Sequence, residues 1–377
     1  MYQRAEARVD LDALRHNVRR LGSLLGEGVE LCPVVKADGY GHGAAQCAAA
    51  AVDAGADRIA VATAREAVQI RAVVPRTPLL VLGAMAPSEI EMAVSAGTDV
   101  SAWDPGFIAA LDSRAEAAGQ KVGVHVKYDT GMGRLGSADP ELVLEMVRMV
   151  SNSTNLDLRA VWTHFATADE DDTSFLELQR DRLADLATGI RADFPGTKIH
   201  AANSAALIRD PESHFDMVRP GVAIYGMDPM GEDADRHDLR PVLSFHSYVA
   251  SVKEFEPGMS AGYGRTWIAE EPTRIATVPV GYGDGVRRGL SNKGDVLING
   301  RLYPIAGTIS MDNLTVDIGP EGSGGPVQIG DEVTLIGQQG PGRITAESMA
   351  GKLDTINYEI TCGISPRVPR QGVGETV

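Results

Sequence analysis

The feature that most constrains this chain is an eightfold alternation between residues 31 and 226. Short runs rich in β-branched residues alternate there with longer, alanine-rich stretches of helical period. Helix-start signals fall between the runs, such as Thr63 before AREAVQI and Asp139-Pro140 before ELVLEMV. The runs that qualify as strands begin at Leu31, Arg58, Pro78, Asp99, Lys121, Leu158, Lys198 and Met217. Eight strand and helix units in succession predict a closed (β/α)8 TIM-type barrel around a parallel sheet.

The pattern of polar and apolar residues changes after Tyr225. An acidic, polar connector spans residues 228–240, and short alternating segments punctuated by glycine follow it. Such alternation predicts strands, with one late helix at about residues 345–355. At 377 residues the chain is also long for a single core. We therefore expect a barrel domain at residues 1–235 and a mostly β C-terminal domain at residues 236–377.

The charge balance excludes several classes of partner. With 35 lysines and arginines against 51 aspartates and glutamates, the formal net charge is −16. This charge repels nucleic acid and anionic membrane surfaces. An anionic ligand must therefore be held by a local cluster of donors.

Cysteine usage and the N-terminus predict a cytoplasmic protein. Cys32, Cys47 and Cys362 are far apart and lack the spacing of a zinc or redox site, so we expect reduced thiols, with Cys362 buried. No HExxH or similar arrangement indicates a metal. The charged N-terminal residues lack the apolar segment of a signal peptide, and no window has the length of a membrane span.

Polar residues stand at five of the predicted strand ends. In a (β/α)8 barrel the C-terminal strand ends build the active site. Here they carry Lys36 after the first strand, Lys127 after the fifth, His164 after the sixth, Asn203-Ser204 after the seventh and Arg219-Pro220-Gly221 in the eighth. One such residue would be explained by solvation of a strand end. Five from separate strands predict a shared site.

Lys36 has the surroundings of an imine-forming lysine. It follows five residues with almost no polarity, and desolvation there disfavours the ammonium and leaves a nucleophilic amine. Ser204 and the amides of Gly221 and Val222 would suit a phosphate group, which binds hydroxyl and backbone N–H donors. Together these features predict pyridoxal 5'-phosphate as cofactor.

The sequence also resembles the alanine racemases, a family of fold-type III pyridoxal-phosphate enzymes, over nearly its whole length. The motifs that carry the resemblance are VVKADGYGHG at 34–43, KYDTGMGRLG at 127–136, HFATAD at 164–169, ANSA at 202–205, RPGVAIYG at 219–226, GYGRTW at 262–267, VGYGDG at 280–285, ISMDN at 309–313 and NYEI at 357–360. A single short motif would be weak evidence. Their occurrence together, in family order, makes a chance match implausible.

The resemblance implies racemisation by two bases, with Lys36 serving one face of the substrate and Tyr263 the other. A phenol of ordinary pKa, about 10, is a poor base near neutral pH, so Tyr263 needs the neighbours His164 and Arg219. In the family this arginine meets the pyridine nitrogen. Because a guanidinium does not readily protonate the ring, the cofactor becomes a weaker electron sink and transamination is disfavoured.

The resemblance also implies the remaining contacts. The expected cofactor contacts are Tyr40, His164, Asn203, Ser204, Arg219, Gly221, Val222 and Tyr358, and the expected substrate contacts are Arg134, Tyr282, Met311 and Asp312. Lys127 is carbamylated in many relatives, which would convert a cation into an anion that orients Arg134. Since Lys36 and Tyr263 fall in different domains, the resemblance implies a homodimer in which each C-terminal domain completes the other subunit's site.

Several other functions stay open. A racemase of serine or of basic amino acids differs mainly in the pocket wall, where the bulky Tyr282 and Tyr358 favour alanine. A decarboxylase of the same fold would place an acidic residue at the pyridine nitrogen, where this chain has Arg219. Non-catalytic pyridoxal-phosphate-binding barrel proteins lack the second domain, and a barrel aldolase would not need the phosphate contacts. The family links its reaction to D-alanine biosynthesis for peptidoglycan precursors.

Overall fold

The first half of the chain folds into the predicted barrel. The computed structural model describes residues 3–322 and 325–374. Its first strands are β1 (Glu6–Asp10), β2 (Glu30–Leu31), β3 (Ile59–Val61), β4 (Leu79–Val81), β5 (Asp99–Ala102), β6 (Val122–Lys127), β7 (Leu156–Trp162), β8 (Lys198–His200) and β9 (Met217–Val218). Strands β2 to β9 form one sheet in the order β2-β9-β8-β7-β6-β5-β4-β3, and its neighbours pair in parallel. Val34 bridges Ala60 beyond β2, which joins the two edges of the sheet. The (β/α)8 barrel is therefore confirmed.

Helices follow the barrel strands and cover the outside of the sheet. They are α1 (Leu11–Gly22), α2 (Lys36–Tyr40), α3 (Ala44–Asp53), α4 (Ala64–Arg71), α5 (Pro87–Ser95), α6 (Pro105–Ala118), α7 (Pro140–Asn152), α8 (Ser174–Asp193) and α9 (Ser204–Arg209). Both predicted helix starts are present. Thr63 and Glu66 form a reciprocal capping box at α4, and Asp139 caps α7 ahead of Pro140. Strands β3, β4 and β6 are buried along their whole length, as expected for a parallel sheet covered by helices.

The second half of the chain is mostly β, as predicted. Its elements are β10 (Leu243–Tyr248), β11 (Ser251–Phe255), β12 (Ser260–Ala261), β13 (Trp267–Ile268), β14 (Thr273–Val278), β15 (Asp295–Ile298), β16 (Arg301–Pro304), β17 (Leu314–Asp317), β18 (Glu332–Gln339), β19 (Gly342–Ile344), β20 (Arg370–Val373), α10 (Ala346–Leu353) and α11 (Asn357–Cys362). Short 3-10 helices lie at Pro211–Ser213, Val222–Tyr225, Ala234–His237, Tyr263–Arg265, Tyr282–Asp284 and Arg288–Leu290. The main sheet runs β16-β15-β18-β10-β1-β20, with β19 on β18, and β11-β14-β17 form a second sheet.

The N-terminal strand β1 belongs to the main sheet of the C-terminal domain rather than to the barrel. It pairs antiparallel with β10 and parallel with β20. The chain therefore begins in the C-terminal sheet, enters the barrel through α1, and returns through the connector. The domain boundary between residues 235 and 236 stays a prediction. β1 lies before this boundary in the sequence but in the sheet of the C-terminal domain in space.

The predicted late helix is present, and a second short helix follows it. α10 matches the predicted helix, and Asp354, which follows its last residue, has a left-handed φ of 54°. α11 then begins at Asn357 and carries Tyr358, which was predicted to follow the last helix. Within the described residues, no helix is long and apolar enough to span a bilayer.

Candidate active site

A pocket of about 530 Å³ opens where the barrel strands end. Predicted site residues from the barrel strands and from α11 converge on it. Those that line it are Lys36, Tyr40, Lys127, Arg134, His164, Asn203, Ser204, Arg219, Gly221, Val222 and Tyr358. The prediction that polar strand ends meet at one site is thus confirmed in its geometry, while the role of each residue stays a prediction.

A single left-handed turn aims Lys36 and Tyr40 into the pocket. Ala37, Asp38, Gly39 and Tyr40 have φ values of 51°, 53°, 64° and 54°. Such backbone costs L-residues roughly 1–2 kcal/mol each, so the surroundings must hold it. Asp38 accepts a hydrogen bond from the Ala44 amide at 2.9 Å. The Ala37 amide donates to a carboxylate oxygen of the α4 capping box at 2.8 Å.

Lys36 is half-buried beside several cations. Burial lowers the pKa of its ammonium below the ordinary value, and the charges of Arg134 and Arg219 lower it further. Nζ of Lys36 lies 5.9 Å from the centre of the Tyr40 ring. An amine in this position is more available as a nucleophile or proton acceptor at neutral pH than an exposed lysine.

Lys127 is more deeply buried than Lys36. It is 2 % exposed, and its Nζ has no hydrogen-bond partner among the described residues. Nζ lies instead 3.6 Å from the centre of the Trp162 ring. Burial, followed by the charges of Arg219 and Arg134, lowers the pKa of Lys127 well below its ordinary value. The Lys127 ammonium therefore gives up its proton more readily than an exposed lysine does.

Arg219 is fixed at the base of the pocket by hydrogen bonds from both terminal nitrogens. Nη2 donates to the carbonyls of Thr163 at 2.9 Å and Ala201 at 2.8 Å, and Nη1 meets Nδ1 of His200 at 2.6 Å. Burial lowers the pKa of Arg219 to about 10, which leaves the guanidinium protonated at neutral pH. It is a fixed donor for a group bound above it.

His164 lies beside this guanidinium, with Nδ1 3.3 Å from Nη2 of Arg219. Burial lowers the pKa of His164 well below its ordinary value, and Arg219 and Lys127 lower it further. The ring is therefore neutral at physiological pH.

The other end of the pocket is a tightly packed cradle around Gly221. The hydroxyl of Ser204 accepts hydrogen bonds from the amides of Gly221 at 2.9 Å and Ala223 at 3.2 Å. A Cβ on Gly221 would lie 2.3 Å from the Tyr40 hydroxyl, so only glycine fits. The rings of Tyr40 and Tyr358 lie 6.0 Å apart and bring two phenol groups to this end.

Four predicted site residues do not line this pocket in the single chain. They lie on the C-terminal domain, where Tyr263 is 74 % exposed, Met311 52 % and Tyr282 42 %. Asp312 pairs with Arg367 at 2.8 Å. Met311 and the Tyr282 loop are held together, since the Gly283 amide donates to the Met311 carbonyl at 2.9 Å. A single subunit thus presents this group of side chains to solvent.

Two family models match the chain along almost its entire length. The model described as the alanine racemase N-terminal domain matches residues 9–229, and the model described as the alanine racemase C-terminal domain matches residues 242–372. The chain belongs to the alanine racemase family. As a member of this family it is a racemase, and hence an isomerase.

Individual alanine racemases resemble the whole chain. The alanine racemase of Symbiobacterium thermophilum is 44 % identical over 98 % of this chain and 97 % of its own length. Alanine racemase 2 of Caldanaerobacter subterraneus subsp. tengcongensis is 40 % identical over 96 % of this chain and 93 % of its own length. The crystal structure of alanine racemase from D-cycloserine-producing Streptomyces lavendulae superposes with a TM-score of 0.93 at 36 % identity, covering 100 % of this chain and 98 % of that one.

Sequence reasoning misplaced one residue of this racemase and missed others. Cys362 was predicted to be buried, but it is exposed at the end of α11 and lines the pocket. This prediction was wrong because α11 was not foreseen, and α11 turns its last residue toward Lys36. Trp162 was also missed, although it ends β7 only two residues before the predicted His164. His200, beneath Arg219, left no signal in the sequence apart from its place in β8.

The described residues contain no group of three or more histidine, cysteine, aspartate or glutamate side chains placed to hold a metal ion. Cys32 and Cys47 are buried, and burial raises the pKa of both thiols. The polar groups that line the pocket are amines, guanidinium groups, phenols, an imidazole, the Asn203 amide, the Ser204 hydroxyl and the Cys362 thiol.

Proposed function

We propose that this racemase binds pyridoxal 5'-phosphate at Lys36 and interconverts L-alanine and D-alanine by a two-base mechanism. The observation that carries the proposal is the convergence in one pocket of a lysine with a lowered pKa, a fixed arginine and a glycine cradle. The pocket is also cationic, with Lys36, Arg134 and Arg219 around it, in a chain whose net charge is −16. Such a local cluster suits an anionic cofactor and a substrate carboxylate.

The residues present fit the cofactor. Arg219 offers fixed donors for the pyridine nitrogen. Ser204, Asn203 and the amides around Gly221 and Val222 would hold the phosphate, together with the phenols of Tyr40 and Tyr358. The missing Cβ of Gly221 leaves room for the Tyr40 hydroxyl, which brings a phenol donor close to the backbone N–H groups that would hold the phosphate. When bound, pyridoxal phosphate supplies an aldehyde that condenses with amines and a conjugated ring that makes the substrate Cα–H acidic.

Lys36 and Tyr263 would move the α-proton on opposite faces. Lys36 is suited to accept a proton because its pKa is lowered. Tyr263 would return a proton as a phenol and in the reverse direction accept one as a phenolate. His164 and the neighbouring Arg219 would stabilise that phenolate. The two roles exchange when the enzyme runs from D-alanine to L-alanine.

Tyr263 would reach the site from the partner subunit. In the single chain it is 74 % exposed, together with Tyr282 and Met311, which is an unusual position for large side chains of a soluble enzyme. A homodimer in which each C-terminal domain covers the other subunit's pocket would bury them. Tyr282, Met311 and Asp312 would then bound the substrate side chain and limit it to a small group.

Arg134 would bind the substrate carboxylate and would be oriented by a carbamylated Lys127. The buried, unpartnered Nζ of Lys127 suits this modification, because an uncharged amine attacks carbon dioxide. The N–C bond forms, one proton passes to solvent, and the product is an anion. The carbamate would then be an anionic partner for Arg134 and Arg219, in place of the amine.

The proposed function is tested by incubating the purified enzyme and pyridoxal phosphate separately with L-alanine, L-serine and L-lysine. D-amino-acid oxidase then detects the D-form of each. We expect D-alanine to form fastest. Preferential turnover of serine or lysine would replace the proposed substrate, and release of carbon dioxide or no turnover would contradict racemisation.

Three variants test the two bases. Lys36→Ala is expected to lose both the absorbance of the bound cofactor and racemisation in either direction. Tyr263→Phe is expected to keep the absorbance and lose turnover. Lys253→Ala, at an exposed position of β11, is the matched control and should keep both. Retained turnover in Lys36→Ala would contradict the assignment.

We also propose a cytoplasmic location, where the enzyme would supply D-alanine for peptidoglycan precursors. The location is supported by the cysteine pattern of the chain, and the pathway by the family to which the chain belongs.

A further inference from the structure

A chain of polar side chains runs through the barrel interior beneath the site. Nη1 of Arg219 lies 2.6 Å from Nδ1 of His200, and Nε2 of His200 lies 2.8 Å from Nδ1 of His125. Nε2 of His125 in turn lies 3.5 Å from a carboxylate oxygen of Asp99. Arg219 and both histidines are buried. We call Asp99, His125, His200 and Arg219 the histidine relay.

The histidine relay extends from one face of the barrel to the other. Arg219 lines the site pocket at the C-terminal strand ends. His125 lines a second pocket, of about 550 Å³, that is bounded by the N-terminal ends of β7 and β8. At this face Asp99 pairs with Arg58, which lies 3.9 Å from Glu30. The relay thus begins at an anchored carboxylate and ends at the arginine of the site.

Only one assignment of donors and acceptors is consistent along the whole histidine relay. An arginine can only donate, so Nδ1 of His200 is unprotonated and the ring proton lies on Nε2. That proton points at Nδ1 of His125, which is therefore an acceptor. The proton of His125 then lies on Nε2, facing Asp99. Every group in the relay has the role that its neighbour requires.

The charges of these groups agree with this direction. Burial lowers the pKa of His125 and His200 below the ordinary value, so each ring carries one proton at neutral pH. Burial alone would raise the pKa of Asp99, but the His125 ring 3.5 Å away and the charge of Arg58 lower it to about 2. The relay therefore has an anion at one end, a cation at the other and two neutral rings between them.

Packing alone does not account for these residues. Barrel interiors are filled mainly by branched aliphatic side chains, which carry no desolvation cost. Two buried imidazoles in contact must each be satisfied by a specific partner. A carboxylate that receives a histidine N–H fixes the tautomer and orientation of the ring, as in the catalytic triads of hydrolases.

We propose that Asp99, His125 and His200 are positioning residues that hold the guanidinium of Arg219 in one orientation as a donor to the bound cofactor. This inference rests on the proposed function, in which Arg219 faces the pyridine nitrogen. His200 takes one terminal nitrogen while two backbone carbonyls take the other, so the planar group cannot rotate. The electronic state of the cofactor then depends on residues that do not line its pocket.

The first test reads the tautomers directly. The holoenzyme is labelled with 15N-histidine, and imidazole 15N NMR assigns which nitrogen of His125 and His200 carries the proton. The signals are assigned with the single variants His125→Phe and His200→Gln. Both rings are expected as neutral Nε2–H tautomers. A proton on Nδ1 of either ring, or a doubly protonated ring, overturns the proposal without reference to activity.

The second test cuts the relay outside the pocket. Asp99→Asn removes the charge and keeps the shape, and His125→Phe removes the ring nitrogens. In each variant we expect His200 to lose its single tautomer. For alanine racemisation we expect kcat to fall about 10- to 100-fold, the usual scale for partners that orient a site residue, while KM changes about twofold or less. Ser101→Ala is the matched control.

Ser101 is a suitable control because it is 1 % exposed, pairs with His125 in register, and has no hydrogen-bond partner for its hydroxyl among the described residues. Unchanged kcat in both relay variants, or an equal loss in Ser101→Ala, overturns the proposal. If unsubstituted enzyme lacks racemase activity, the proposed function fails, and the tautomer measurement still decides the relay. If the relay variants do not fold, the same measurement on the unsubstituted enzyme decides.

Discussion

Gly221 offers a quantitative test of how the phosphate end of the pocket is built. A Cβ at this position would lie 2.3 Å from the hydroxyl oxygen of Tyr40 and 2.9 Å from its Cζ. Neither distance is tolerated by non-bonded atoms. Gly221 has φ −106° and ψ −90°, and the effect that we predict for Gly221→Ala is the one that comes from this contact.

Tyr40 has little room to withdraw. Its ring is 7 % exposed and packs 5.1 Å from the Tyr225 ring and 6.0 Å from the Tyr358 ring. Its backbone belongs to the left-handed turn. Overpacking costs about 1–3 kcal/mol, so we expect Gly221→Ala to lower the free energy of unfolding by about 2 kcal/mol. Since about 1.4 kcal/mol is a factor of ten, a similar loss at the phosphate would weaken pyridoxal phosphate binding by about 10- to 100-fold.

Two measurements check this prediction, an absorbance titration of apoenzyme with pyridoxal phosphate and thermal unfolding. Gly189→Ala is the matched control, since no atom lies within 4 Å of the added Cβ. At this helical position near the C-terminal end of α8, alanine should stabilise the protein by about 0.5–1 kcal/mol. Adding Tyr40→Phe to Gly221→Ala removes the shortest contact and should recover part of the lost stability. A Gly221→Ala enzyme that binds the cofactor and unfolds like the unsubstituted enzyme would refute the reasoning.

Three further predictions follow from the buried and strained groups. Enzyme equilibrated with 13C-bicarbonate should show a carbamate carbon signal in 13C NMR that Lys127→Ala lacks; no such signal in the unsubstituted enzyme would contradict carbamylation. Ala37→Gly should raise the free energy of unfolding by about 0.5–1 kcal/mol, because relief of left-handed strain, roughly 1–2 kcal/mol, exceeds the entropic cost of glycine, roughly 0.5–1 kcal/mol; a lower urea midpoint would argue against a strained turn. His42, His125 and His200 have folded-state pKa values lowered by burial, so the unfolded chain takes up protons first as pH falls through about 6.5. Stability should therefore fall between about pH 7.5 and 5.5, by up to about 1.4 kcal/mol per histidine, and urea unfolding that shows no such fall would contradict neutral buried rings.

The barrel was predictable because the signals for each strand and helix agree with the order of the elements along the chain. Each strand is a short β-branched run, and the helices between them begin at recognisable caps such as Thr63 and Asp139. The rule that strand ends build the site then brought Lys36, His164 and Arg219 together without any contact information. This part of the prediction depends on the order of elements along the chain, which the sequence contains directly.

Other features depend on contacts between distant segments and were not predictable from local pattern. Strand β1 is held by pairing with β10 and β20, which lie more than two hundred residues away along the chain. α11 has six residues, too few to show a helical period. The contact between His125 and His200 joins positions 75 residues apart and depends on the register of β6 and β8 across the strand β7 between them.

The left-handed turn after Lys36 was missed for a different reason. Ala37 and Asp38 give no sign of positive φ, and only Gly39 and the following glycines mark a turn. Hydrogen bonds to α3 and α4 hold the strained backbone. The contact of Tyr263 with the site of a partner subunit stays a prediction, because it lies between chains.

Subunit mixing tests the central claim most directly, namely that Lys36 and Tyr263 of different subunits form one racemase site. Lys36→Ala and Tyr263→Ala subunits, each inactive alone and carrying different tags, are exchanged and the heterodimers isolated. A statistical mixture contains about half heterodimers, each with one intact site, so about a quarter of the unsubstituted activity should return. Isolated heterodimers should show about half. Heterodimers that form and stay inactive, or a fully active monomer of the unsubstituted enzyme, would contradict the account.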